Sequence, residues 1–178
     1  MKKLLIIIFA MSLFLVAQEA EKKFNFGSET DFVPFLTGGY YSSMWISYDN
    51  FRLRSVLADV NMPKFMTPDK FKDYEVKINA FIVDYFFDKN LQGFWLALGI
   101  EFWKSRASEK ETSITGKFNS TVFTLGGGYV IDIWNNIYIN PWAAVHYGSQ
   151  ENNLLIGSNN FKEKRLVPEF SVKLGYRF

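Results

Sequence analysis

The chain has 178 residues, a formal net charge of +2 and no cysteine. That length suits one domain, the charge is too small and too scattered for a nucleic-acid partner, and the missing thiols exclude disulfides, thiolate chemistry and a lipid-anchored N-terminal cysteine. Aromatic residues nevertheless make up 19% of the chain while the mean hydropathy is near zero, a combination that suits a β-barrel with lipid outside and polar groups within.

The first element is a targeting segment. Lys2 and Lys3 precede an apolar run from Leu4 to Val16, and small or polar residues follow at Ala17 to Ala20. This is the layout of a cleavable signal peptide, residues 1–17, with Ala20 as the alternative cleavage point. The run is shorter than the roughly 20 residues of a membrane-spanning helix. An exported chain is expected, with 21–178 forming the mature domain.

Period-two alternation then recurs. A weak strand is expected within 21–33, where Lys23, Asn25 and Gly27 alternate with Phe24 and Phe26, and Pro34 limits its extension. Stronger strands are predicted at 38–48, 51–62, 74–87, 93–105, 115–133, 136–148 and 164–178. In 51–62, Phe51, Leu53 and Leu57 oppose Arg52, Arg54, Val56 and Ala58. In 74–87, Tyr74, Val76, Ile78, Ala80 and Ile82 oppose Glu75, Lys77, Asn79, Phe81 and Val83. In 93–105, Phe94, Leu96, Leu98, Ile100 and Phe102 oppose Trp95, Glu101 and Trp103, and in 136–148 Ile137, Ile139 and Val145 oppose Tyr138, Asn140, Trp142 and His146. The last strand sets Phe170, Val172, Leu174 and Tyr176 against Glu169, Ser171, Lys173 and Arg177. Strict alternation argues strand over helix, and the lengths match the roughly 9–11 residues with which a tilted strand crosses a bilayer.

The connections differ by rim. Residues 49–50, 88–92 and 134–136 form tight turns, whereas "NMPKFMTPDKFKD", "KSRASEKETS" and "SQENNLLIGSNNFKEK" are long and polar. Short periplasmic turns and long outer loops are the asymmetry of an outer-membrane barrel, and even strand numbers begin at eight. The expected fold is therefore all-β: an eight-stranded antiparallel up-and-down transmembrane barrel, closed by pairing the first strand with the last so that no edge is left unsatisfied.

With its signal peptide, alternating strands and terminal "GYRF", the chain resembles small outer-membrane β-barrel proteins of Gram-negative bacteria, OmpX/OmpW-like in outline. "PFLTGGYYSSMW", "NPWAAVHY" and "PEFSVKLGYRF" are similar to an uncharacterised Bacteroidetes-type barrel family. The resemblance implies an outer-membrane location and contact with its lipid. It also implies that the barrel-assembly machinery reads Phe178 and Tyr176, with Leu174, Val172 and Phe170 behind them. A monomer without cofactor or metal is expected.

If the apolar set faces lipid, the interior receives Arg52, Arg54, Glu75, Lys77, Asn79, Glu101, Tyr138, Asn140, His146, Glu169, Lys173 and Arg177. Buried charges must pair or meet water, and eight strands enclose a bore that side chains can fill. A salt-bridged plug follows, with a non-enzymatic surface-binding or envelope-structural role. Inner aromatics Trp95, Trp103, Trp142 and Phe81 carry the alternative, a binding site or passage for a small hydrophobic molecule. A minor alternative is a hydrolase of the lipid A deacylase type, built on His146, Ser149 and a glutamate placed at similar height; the His-x-Ser spacing of such enzymes is absent. The glycines 126–128 have no following Lys-Ser/Thr and no helix, so they read as close-packing positions under an inner tryptophan rather than as a phosphate loop.

Overall fold

The computed structural model describes residues 24–149 and 153–178; the expected signal peptide lies outside them. The chain runs through β1 (Phe24–Asp31), α1 (Phe32–Leu36), β2 (Tyr40–Tyr48), β3 (Phe51–Asn61), β4 (Phe71–Phe86), β5 (Gly93–Glu109), β6 (Thr115–Trp134), β7 (Ile137–Gly148), β8 (Asn153–Ile156), β9 (Asn159–Lys162) and β10 (Leu166–Arg177). Eight of these close a barrel in the order β1-β10-β7-β6-β5-β4-β3-β2, every pair antiparallel. The weak first strand exists, and Glu29 and Asp31 extend its inward face beyond Gly27. The last long loop departs from expectation: β8 and β9 form a hairpin whose Ile156 and Phe161 pack with Phe71 and Tyr74 at the outer end of the barrel.

Alternation decides sidedness. Outward positions carry an apolar belt that includes Met44, Leu53, Leu57, Leu96, Leu98, Leu125 and Phe170, all exposed. Below it lies a ring of aromatics at the short-turn rim, where Phe24 packs on Tyr48, Phe51 on Tyr85, Phe94 on Tyr129 and Tyr176 on Phe178. An apolar band edged by aromatic rings is what a lipid-facing barrel presents.

One strand is turned over relative to the sequence expectation. In β4 it is Tyr74, Val76, Ala80 and Ile82 that are buried inside, while Lys77, Asn79 and Phe81 are exposed outside and Glu75 lies with them. Both alternations of this strand are apolar in its middle, so hydrophobicity alone does not choose a face. Asp84 does: its carboxylate needs a buried cation, and Arg52 and Arg54 stand inside on β3. Placing Asp84 inward puts Glu75, Lys77, Asn79 and Phe81 outward. Near the outer rim Glu75 pairs with Arg106, and Lys77 lies 3.6 Å from Asp59.

Candidate functional site

The inner, short-turn half of the bore is solid. Arg52 donates to Glu29 at 2.8 Å and to Asp84 at 2.7 Å, and Arg54 donates to Asp84 at 2.8 Å with Glu29 at 3.5 Å. Tyr138 and Asn140 also donate to Glu29, at 2.9 and 3.0 Å. Two arginines and two carboxylates cancel, so the cluster carries no net charge, and its many hydrogen bonds offset the cost of desolvating four ions. Aromatic rings close around it: Trp45 donates to Tyr138, Trp95 to Asn140, and the guanidinium of Arg52 stands 4.9 Å from the Phe86 ring. Leu91, from the β4–β5 turn, packs into the same cluster from below. Glycines make room for these rings. A Cβ at Gly128 would lie 2.7 Å from Trp95 and 2.9 Å from Trp142, which is the close-packing role expected for the 126–128 run.

Lys173 sits at the top of this plug. It is fully buried, and its ammonium lies 3.3 Å from the Trp142 ring centroid and 4.9 Å from that of Tyr41. It has no hydrogen-bond partner within the protein among the described residues, so the ring faces hold it, as aromatic quadrupoles do for a desolvated cation. Arg177 belongs to the rim rather than the bore. It pairs with Asp132 at 2.6 Å and donates to the Leu91 carbonyl.

Above Trp142 the bore opens into a cavity of about 390 Å³. Its walls are mostly apolar and small: Val56, Ala58 and Val60 from β3, and Ile78, Ala80 and Ile82 from β4. Trp103 and Trp142 line it; Trp95 does not, being part of the plug below. Thr37, Tyr41, Asn61 and Ser171 border the cavity, and so does a buried ionic cluster. His146 stands between two carboxylates, its Nε2 at 2.8 Å from Glu169 and its Nδ1 at 3.2 Å from Glu101 and 2.9 Å from the Thr124 hydroxyl. Thr124 and the Trp103 indole both donate to Glu101. Glu101, His146 and Glu169, all expected inside the barrel, are thus brought together. Ser149 is not with them: it is exposed at the rim, with its backbone N–H on the Thr121 carbonyl.

The wall beside the cavity is incomplete as a sheet. The β1–β10 ladder runs only from Gly27↔Arg177 to Asp31↔Lys173, whereas β7 follows β10 from Tyr176 up to Leu166. Above Asp31 the place of β1 is taken by α1, capped by the Asp31 carboxylate on the Val33 N–H and packed against β10, β2 and β3. Only Pro34 of α1 is buried; Phe32, Val33, Phe35 and Leu36 face outward. Val33, Pro34 and the outward-facing Phe170 all touch the cavity, so the cavity reaches the outer surface of the barrel at this seam.

Glu29, Asp31, Asp84 and Trp45 are inner residues absent from the sequence-derived set. Asp84 is the lone charge in the inner half of β4 and Glu29 continues the odd-numbered face begun at Lys23, so both signals are present in the sequence. No family model matches the chain, and no curated protein matches it. Among solved structures it is similar to Neisserial surface protein A, with a TM-score of 0.56 and 14% identity over 88% of this chain and 98% of that one. It is also similar to a major outer membrane protein from Thermus thermophilus, with a TM-score of 0.54 and 12% identity over 87% and 98%. At such identities the likeness is one of fold: this chain is an eight-stranded closed antiparallel barrel of the kind found in small outer-membrane proteins.

Proposed function

We propose that this is a non-enzymatic barrel of a Gram-negative outer membrane that holds a small hydrophobic molecule in its outer half. The observation that carries the reading is the apolar cavity lying directly on a close-packed, ion-paired floor. Its volume falls within the roughly 300–1,000 Å³ of ligand-sized pockets, and apolar walls with a few convergent polar groups are the usual composition of such sites. The floor favours binding over passage to the periplasm. The apolar belt, the aromatic ring and the fold shared with two outer-membrane proteins support the location. The exposed pair Tyr176 and Phe178 at the end of the closing strand supports recognition by the barrel-assembly machinery.

The hydrolase alternative has less support, since the hydrogen-bond partners of His146 are Thr124, Glu101 and Glu169 rather than Ser149. The test of binding uses the barrel in phosphatidylcholine vesicles, titrated with 1-N-phenylnaphthylamine and read by energy transfer from tryptophan. Wild type gives a saturable component above simple partitioning into lipid. The cavity-filling variant Ala58→Phe/Ala80→Phe loses it while keeping its β-sheet circular dichroism. Equal saturable binding by both proteins would refute the assignment.

A further inference from the structure

The outer surface of β4, β5 and β6 carries a second feature, unconnected with the bore. Lys77 on β4 stands directly across from Lys104 on β5, and Arg106 on β5 directly across from Lys117 on β6. All four side chains are exposed on the outward face. Like charges facing each other across a ladder destabilise it, and here two such pairs are adjacent. Glu75 and Asp59 offset part of the repulsion, since Glu75 pairs with Arg106 and lies 3.9 Å from Lys77, and Asp59 lies 3.6 Å from Lys77. Lys104 and Lys117 have no ion-pair partner among the described residues. The surplus positive charge is therefore concentrated on β5 and β6.

The height of the patch identifies what it meets. On β5 the lipid-facing series runs Phe94, Leu96, Leu98, Ile100, Phe102 and then Lys104. Phe94 belongs to the aromatic ring at the short-turn rim. At about 3.4 Å per residue and a tilt near 40°, the step from Phe94 to Lys104 rises roughly 26 Å. The apolar band of such barrels is about 25 Å tall. Lys104 thus stands where hydrocarbon ends and headgroups begin, on the rim of the long loops, with Lys117 and Arg106 just above it. Cations clustered at that boundary recognise anionic headgroups, and lysine is a point-charge partner for phosphate.

We propose that Lys77, Lys104, Arg106 and Lys117 form a binding surface for the phosphate groups of an outer-leaflet lipid, which supplies the anion that Lys104 and Lys117 lack. The inference depends on the chain spanning a membrane but not on the cavity having a ligand. The test compares thermal unfolding in phosphatidylcholine vesicles with and without diphosphoryl lipid A, for wild type and for Lys104→Gln/Lys117→Gln. Protease protection of the belt first establishes insertion of both proteins; failure of wild type to insert would strike at the membrane reading itself.

In plain phosphatidylcholine the double variant melts higher than wild type, because the repulsion is relieved. Lipid A raises the wild-type melting temperature and raises that of the variant much less. The sign reversal is what a merely structural role for the lysines would not produce. The proposal is overturned if the variant keeps the whole lipid A increment, or if it melts no higher in plain vesicles. It is equally overturned if inorganic phosphate in plain vesicles reproduces the increment, which would make the ligand a free anion.

Discussion

The same strands build two different interiors at two heights. Near the short turns, β3 contributes Arg52 and Arg54, β4 Asp84 and Phe86, and β7 Tyr138, Asn140 and Trp142; further out, the same three strands contribute Val56 and Ala58, Ile82 and Ala80, and Ala144 and His146. Large polar and aromatic groups fill the bore of an eight-stranded barrel completely, and alanines and valines do not. Closure below and space above therefore follow largely from side-chain volume, together with the end of the β1–β10 ladder at Asp31.

The contrast predicts opposite responses to substitution. Asp84→Ala leaves Arg52 and Arg54 without their shared carboxylate in a dry environment, and breaking such a pair costs about 3–5 kcal/mol. Urea unfolding in detergent micelles should show that loss. Ala58→Leu adds methylenes where space already exists, so its cost should stay below about 1.5 kcal/mol, the range of tolerated apolar changes. A comparable loss for both would mean that the outer half is packed as tightly as the inner. The sealed floor gives a second expectation: wild-type protein in planar bilayers shows no stepwise conductance, and regular steps would show an open bore.

The wall invites the next test. Leu166–Val172 of β10 is laddered to β7 but faces α1 on its other side, while β5 is laddered along both edges by β4 and β6. Local opening is easiest where strand pairing is missing. Pro168 lies in this stretch, where an absent N–H is harmless at an edge. Amide hydrogen exchange should be faster across Leu166–Val172 than across Phe94–Ile100, and equal protection would mean that α1 seals the seam as well as a strand does.

Most of the barrel is legible from alternation, because β3, β5, β7 and β10 each have one continuous apolar face set against a more polar one. The same rule turns Lys173 and His146 inward, where both are buried. It fails for β4, since Ile78, Ala80 and Ile82 compete with Phe81, Val83 and Tyr85 for either side. The parity of that strand is set by one residue, Asp84, through a pairing with β3 that only the register makes visible. The cavity is further out of reach. It depends on where small residues from several strands coincide in height, which no single segment encodes, although the end of β1 at Asp31 agrees with the limit that Pro34 sets.

The smallest effect separates the two faces of the barrel most directly. Glu29 and Glu75 are both strand glutamates paired with arginine, one buried against Arg52 and Arg54, the other on the outer surface against Arg106. The Arg106 side chain is 58% exposed, so water and salt screen that pair, and exposed ion pairs contribute at most about 1 kcal/mol. Glu75→Gln should therefore shift the urea midpoint barely at all, and the shift should fade in high salt. Glu29→Gln should produce a large loss that salt does not alter, because no ions reach the interior. A large, salt-insensitive loss at Glu75 would instead return that residue, and the face of β4 on which it stands, to the inside of the barrel.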